Sequence, residues 1–249
     1  LKRWLKMRAD TFFGRDQMFD PPKGILLVGV QGCGKSLAAK AVAGMWQIHL
    51  LRLDMGTLYN KYIGETEKNL REAMKAAEVM APCVLWIDEI EKAINEDNSD
   101  GGVSRRLLGT LLTWMAEKNE SVFIVATAND IERLPPELIR KGRLDEIFFV
   151  DLPSEEVREI IFDIHLKKRH QQTEAFNVKQ LAAASIGFTG AEIEQVIVSG
   201  FYLAREKGEP LATEHLIEEI GHTRPLSVIM AEKIDYLRNW ASSRTVNAD

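Results

Sequence analysis

The stretch GVQGCGKS, Gly29–Ser36, lies between an apolar run and a segment of helical periodicity, and it restricts the fold more than any other part of the chain. It fits the spacing G-x-x-x-x-G-K-S, and each residue type there has a task at a polyphosphate. Glycines at 29, 32 and 34 let backbone N–H groups face phosphate oxygens without a Cβ in the way. Cys33 contributes its backbone to the same loop. The helix that follows adds the positive end of its dipole. Lys35 reaches the β- and γ-phosphates, and the Ser36 hydroxyl suits Mg2+. A chance Gly-rich turn is the alternative, but the motif requires a strand before it and a helix after it, and the sequence supplies both.

The rest of the chain extends that unit. Five apolar runs read as strands: 24–29, 49–55, 83–88, 121–128 and 147–152. Several are continuously apolar, as expected of strands buried on both faces of a parallel sheet. Helical patterns at 35–46, 65–80, 103–118 and 136–141 alternate with them, which calls for right-handed crossovers in an α/β fold. The expected fold is therefore a P-loop nucleotide-binding fold, with a five-stranded parallel sheet flanked by helices and a small all-helical lid domain after it. The lid follows because strands stop after Pro153. The segment 154–170 is amphipathic, with Val157, Ile160, Ile161, Ile164 and Leu166 apolar and Ser154 as N-cap. Further helices are expected near 177–184, 190–206, 213–220 and 227–241. The domains are placed at 1–153 (α/β), 154–224 (helical lid) and 225–249 (C-terminal helix and a tail expected to fray).

Composition excludes some functions. The 249 residues carry a net charge of −5, which gives no global bias toward nucleic acid or an anionic membrane. Six Lys/Arg against three Asp in the first 23 residues read as a solvated face. No run of 18 apolar residues exists, so no membrane span is expected. Cys33 and Cys83 read as thiols of a reduced, cytoplasmic-type compartment rather than a disulfide. The chain opens on Leu1, and it is expected to be part of a longer protein.

Two further motifs add chemistry. In CVLWIDEIEK, four apolar residues deliver Asp88 and Glu89 to the C-terminal end of a strand, where open α/β sheets bind ligands. Asp88 would hold Mg2+ through water, and Glu89 would orient and polarise an attacking water. Solvated acids at a strand end are the alternative, which the upstream phosphate loop outweighs. In IVATANDIERLPPELIRKGRLDEIFF, Asn129 ends another buried strand and could hold that water or sense the γ-phosphate; a strand-end turn residue is the alternative. Arg140 and Arg143 flank Gly142 on a loop. A guanidinium near a γ-phosphate aids phosphoryl transfer and is often supplied in trans, whereas an isolated pair would simply be solvated.

Taken in order, the phosphate loop, the DE-ended strand, ATAN and RKGRLDE resemble AAA proteins of the AAA+ superfamily, over nearly the whole chain. The resemblance implies Mg2+-dependent ATP hydrolysis at a subunit interface, usually in a hexameric ring, with Arg140 and Arg143 as arginine fingers reaching a neighbour's ATP. It implies that Leu37 follows the phosphate loop at the nucleotide. In GFTGAEIEQ it places Gly190 and Ala191 against the nucleotide, and in IIFDIH it places Ile161 and His165 at adenine or ribose. Core packing of Ile161 and a satisfied surface histidine remain alternatives. Ala191 stands where many AAA+ clades have an arginine, which points to the AAA clade proper. The stretches LKRWLKMRADTFF, RKGRLDEIFFVDLP and RPLSVIMAEKIDYLRNWASSR resemble a AAA family encoded in algal plastid genomes and cyanobacteria, with bacterial relatives. That resemblance makes a plastid stroma a possible compartment.

The segment NKYIGETEKNLREAM, 60–74, departs from that family. Leu70, Ala73, Met74 and Ala77 share one helix face, with the helix expected from Glu65. Tyr62, Ile63 and Gly64 fall just before it and are similar to the aromatic–hydrophobic–glycine pore loop of protein-remodelling AAA proteins. A helix-entry staple, with Tyr62 or Ile63 packed on the first turn, is the alternative. Three functions follow: an ATP-driven remodeller threading an unknown protein substrate, an ATP-dependent switch or scaffold without threading, and a nucleic-acid-associated motor. The charge balance and Ala191 argue against the last.

Overall fold

The computed structural model describes residues 1–58, 63–93, 101–139 and 142–248, in two compact units. In chain order the elements are α1 (Lys2–Phe12), β1 (Gly24–Gly29), α2 (Lys35–Trp46), β2 (His49–Asp54), α3 (Met55–Leu58), α4 (Ile63–Val79), β3 (Cys83–Asp88), a 3-10 turn (Ile90–Ala93), α5 (Gly101–Glu117), β4 (Val122–Ala128), α6 (Pro136–Ile139), β5 (Glu146–Val150), α7 (Glu155–Lys168), a second 3-10 turn (Thr173–Ala175), α8 (Val178–Ala184), α9 (Gly190–Lys207), α10 (Thr213–His222), α11 (Leu226–Ile229), α12 (Ala231–Ala241) and β6 (Val246–Asn247).

The first unit comprises Leu1–Gly29, Lys35–Val150 and Ala241–Asp249. Its sheet is parallel, in the order β2-β3-β4-β1-β5-β6. Every residue of β1 and of β4 is buried, as their unbroken apolar sequences require. The sheet has six strands where five were expected. The sixth lies in the tail expected to fray: Phe148 pairs with Val246 and Phe149 with Asn247, and Ala248 N–H donates to Phe149 O at 3.0 Å. Two residues of ladder are too short to leave a periodicity in sequence.

An aromatic cluster forms the core on one face of this sheet. Phe12 stacks on Trp46 with ring centroids 4.7 Å apart, and Trp46 meets Phe123 at 4.7 Å. Phe12 comes from α1, where the sequence suggested only a basic, solvated segment. Both features coexist on one helix: Leu5 and Phe12 are buried, Trp4 and Ala9 pack beside them, and Lys2, Arg3 and Lys6 are exposed. In α4 the expected face is present, with Leu70, Met74 and Ala77 buried. The helix itself begins at Ile63, two residues earlier than expected, so Ile63 and Gly64 belong to its first turn rather than to a preceding loop. Tyr62 lies outside the described residues.

The second unit comprises Val30–Gly34 and Asp151–Trp240. Phe162, Leu166, Leu181, Ile193, Val196, Ile197 and Leu216 form its core. On α7 the buried stripe is Arg158, Phe162 and Leu166, at i, i+4 and i+8, while Val157, Ile160 and Ile164, expected on the apolar face, are exposed. Arg158 is buried because its guanidinium is satisfied: Nε donates to Ala182 O and Nη1 to Pro153 O, each at 2.9 Å. Ser154 caps α7 as expected, and Thr189 with Glu192 forms a capping box on α9. The single helix expected over 227–241 is two, broken at Met230.

The aromatic cluster makes α1 an integral part of the α/β unit. Phe12→Ala should destabilise it by about 3–5 kcal/mol. Met7→Ala, on the same helix but 69% exposed, should stay within about 0.5 kcal/mol. Denaturant midpoints of the two variants check this.

Candidate active site

In the α/β unit the polar residues gather at the C-terminal ends of β1, β3 and β4. Gly29 closes β1 at φ 146°, and a Cβ there would lie 2.1 Å from Val150 O on the neighbouring strand, so only glycine fits. Lys35 opens α2. Its side chain is only 6% exposed, and Nζ donates to Gly29 O at 2.8 Å, which folds the ammonium back over the start of the loop. Ser36 and Leu37, in the same first turn, are exposed.

The β3–β4 register, from Cys83 opposite Val122 to Ile87 opposite Ala126, brings Asp88 and Glu89 beside Thr127 and Asn129. Thr127 Oγ1 donates to Asp88 Oδ1 at 2.8 Å and accepts from Glu89 N–H at 3.1 Å. Glu89 has φ 52°, a left-handed conformation that costs a non-glycine residue roughly 1–3 kcal/mol and that clusters at functional sites. Asn129 Nδ2 donates to Glu89 Oε1 at 3.0 Å, so the amide and the carboxylate that the sequence singled out are in direct contact.

Four residues that sequence reasoning passed over complete the cluster. One is Thr127. Arg52 on β2 pairs with Asp88 Oδ2 at 2.8 Å and lies over the Trp86 ring. Lys92, one turn after Glu89, forms an ion pair with Glu89 Oε2, and that bond raises the Lys92 pKa. Glu91 is only 6% exposed, and its Oε1 accepts from Asn129 N–H at 2.9 Å. Burial pushes the Glu91 pKa up. Its Oε2 is buried and makes no hydrogen bond. The i+2 and i+3 spacings of Glu91 and Lys92 from Glu89 were visible in DEIEK, and only the turn geometry gives them meaning.

The loop bearing Arg143 is held at the other end of β1. Asp145 Oδ2 accepts from Lys23 N–H at 2.7 Å and Gly24 N–H at 2.9 Å, and Lys23 Nζ donates to Gly142 O at 2.9 Å. Arg143 Nη1 donates to Glu137 O. Arg140 lies outside the described residues.

In the helical unit, Ala191 N–H donates to Gly32 O at 3.2 Å. Gly32 is left-handed at φ 80°, a conformation that favours glycine, and a Cβ there would be tight against Thr189 Oγ1 at 3.0 Å and Ala191 Cβ at 3.2 Å. Gly34 is also left-handed, at φ 91°, and Cys33 is half-buried. Gly190 and Ile161 are neighbours, since a Cβ on Gly190 would lie 3.6 Å from Ile161 Cδ1. His165 Nδ1 lies 3.3 Å from Glu194 Oε1, which also accepts from Arg169 at 3.1 Å. Burial lowers the His165 pKa, against the pull of Glu194. The expected residues Gly32, Ile161, Gly190 and Ala191 are thus brought together, and His165 carries an unexpected carboxylate partner.

This chemistry suits a nucleoside triphosphate with a hard cation. In the α/β unit, a helix N-terminus, Lys35 folded back on Gly29 O and hard oxygen donors at Ser36 and Asp88 fit Mg2+ held mainly by phosphates and water. Among the described residues no cluster of three or more His, Cys, Asp or Glu could hold a metal alone.

The model of the ATPase family associated with various cellular activities (AAA) matches residues 25–152, which run from β1 through β5. The chain belongs to the AAA ATPase family. It is 44% identical over 248 residues to a AAA domain-containing protein, ycf46, of Guillardia theta, covering 98% of this chain and 49% of that protein. The proteasome-activating nucleotidase of Aeropyrum pernix is 36% identical over 206 residues, 80% of this chain and 50% of its own length. A cell division cycle protein 48 homolog of Archaeoglobus fulgidus is 35% identical over 218 residues, 86% of this chain and 28% of its own. The chain spans about half the length of the ycf46 and nucleotidase relatives it matches. As a AAA ATPase domain it hydrolyses ATP. No helix among the described residues is long and apolar enough to cross a membrane.

Glu91 offers a test of the cluster by pH. A carboxyl whose pKa rises on folding stabilises the fold fully below its unfolded pKa, and that contribution is lost as pH rises through the folded pKa. Glu91→Gln mimics the protonated form and keeps the acceptor for Asn129. Its stability relative to wild type should therefore be more favourable at pH 8 than at pH 4, as measured by denaturant melts at both.

Proposed function

We propose that this chain is the motor part of a ring-forming, homo-hexameric AAA machine that hydrolyses Mg-ATP to remodel a protein substrate through a central pore. The observation that carries the hydrolytic part is the Glu89–Asn129 contact at the ends of β3 and β4. Lys35 offsets the charge of the β- and γ-phosphates, and the loop glycines turn backbone N–H groups toward them. Ser36 and, through water, Asp88 would hold Mg2+. Held there, the cation would supply positive charge that offsets charge developing during phosphoryl transfer. Glu89 orients and polarises the attacking water, and Asn129 fixes the Glu89 carboxylate by its 3.0 Å hydrogen bond. Arg140 and Arg143 would serve a neighbouring subunit's ATP. For Arg143, the tethering of its loop through Lys23 and Asp145 supports a fixed rather than a wandering guanidinium. Gly190, Ala191, Ile161 and His165 would contact the nucleoside, with Glu194 setting the orientation of the His165 ring.

Remodelling rests on the likeness to a proteasome-activating nucleotidase and a cell division cycle protein 48 homolog, together with the Tyr62–Ile63–Gly64 motif. In this reading Tyr62 would supply an aromatic ring that grips an extended polypeptide. The experiment is to titrate the protein with an unfolded polypeptide such as casein and measure ATP turnover. Wild type should be stimulated and Tyr62→Ala should lose the stimulation. A Tyr62→Ala variant with full stimulation would contradict threading. An unstimulated wild type would favour a switch or scaffold.

A further inference from the structure

The Thr127 hydroxyl has no packing role that a methyl could not fill. Its neighbours along β4, Phe123, Ile124, Val125, Ala126 and Ala128, are all buried and apolar, and Thr127 itself is 2% exposed. It stands in the ladder beside Leu27 of β1. A valine of the same shape would satisfy that interior at less desolvation cost. The hydroxyl is instead spent on two bonds, and both go to the acids after β3. It donates to Asp88 Oδ1 at 2.8 Å and accepts from Glu89 N–H at 3.1 Å.

These bonds do different things. The first fixes which oxygen of Asp88 points inward. Oδ2 is left outward, where Arg52 pairs with it at 2.8 Å and where a hydrated cation would have to compete. The second holds the peptide of Glu89, whose φ of 52° is unfavourable for a side chain of that kind. Without the hydroxyl, Asp88 could turn both oxygens to Arg52, and the Glu89 backbone would lose the group that holds its conformation. We propose that Thr127 is a positioning residue that sets the Mg2+-facing oxygen of Asp88 and the aim of Glu89 at once. The inference rests on the reading of Asp88 and Glu89 as the cation-binding and water-orienting acids.

Thr127→Val removes the hydroxyl at constant shape, and Thr127→Ser keeps it. Each should be compared with wild type in four measurements: thermal melting, binding of a fluorescent ATP analogue in EDTA, Mn2+ binding followed by electron paramagnetic resonance in the presence of ADP, and Mg2+ titration of ATP turnover. Loss of a group that orients metal-site residues typically costs roughly 10–100-fold in metal affinity or activity. Thr127→Val should show a loss of that size in Mn2+ affinity and in turnover, with metal-free nucleotide binding unchanged, and Thr127→Ser should recover most of both. A Thr127→Val protein with wild-type Mn2+ affinity and Mg2+ dependence would overturn the inference. So would a Thr127→Ser protein that melts like wild type yet binds Mn2+ no better than Thr127→Val, which keeps the test decisive should Thr127→Val fold poorly. A wild-type chain that bound no nucleotide would instead overturn the ATPase reading, and the role of Thr127 with it.

Discussion

The parallel register between β3 and β4 is the constraint on which the α/β unit's chemistry depends. Ile87 lies opposite Ala126, so the next residues of the two strands, Asp88 and Thr127, emerge side by side, and Glu89 and Asn129 follow within hydrogen-bond reach. A slip of one residue would reverse every side chain of a strand between the two faces of the sheet. It would also part all four polar groups. Helices cover both faces of such a sheet, so burial rather than any polar contact fixes the register. The apolar runs CVLWI and VFIVA therefore position the acids that follow them.

Putting those acids together has an electrostatic cost, which neighbouring cations offset. Asp54, Asp88, Glu89 and Glu91 converge near the strand ends. Arg52 spans Asp54 and Asp88, and Lys92 pairs with Glu89. Glu91, without a cation in hydrogen-bond contact, is the acid whose pKa burial raises. Arg52 and Lys92 are themselves about half exposed, so their pairs are solvent-screened and weak enough to exchange for other partners. The arrangement holds Asp88 and Glu89 in place without sealing them off.

What the sequence revealed and what it hid have physical causes. The phosphate loop, the DE pair and Asn129 were legible because each combines a rare residue pattern with a strand or helix of fixed position. The strands β1 and β3 were bounded to the residue, since apolar runs between polar ends leave little freedom. Thr127 and Arg52 were invisible because their importance comes from register across the sheet, which has no local signature, whereas the spacing of Lys92 from Glu89 was visible but gains meaning only from one turn of backbone. The helix α1 was missed because four basic residues on its outer side masked Leu5 and Phe12 on the inner one. On α7 the sequence pattern favoured Val157, Ile160, Ile161, Ile164 and Leu166; of these the interior took Leu166, together with Phe162 and with Arg158 between Pro153 and Ala182, and left Val157, Ile160 and Ile164 exposed. Hydrogen bonding to backbone carbonyls overrode hydropathy there. Strand β6, only two residues long, depended on its partner β5 and not on its own composition.

The central claim is that Glu89, aimed by the strand-end cluster, acts on water and not on nucleotide binding. Single-turnover release of phosphate from bound ATP by Glu89→Gln separates the two. The account predicts that the variant binds ATP as wild type does and releases phosphate slower by about 100- to 10,000-fold, the usual worth of a general base. Phosphate release at the wild-type rate would contradict it.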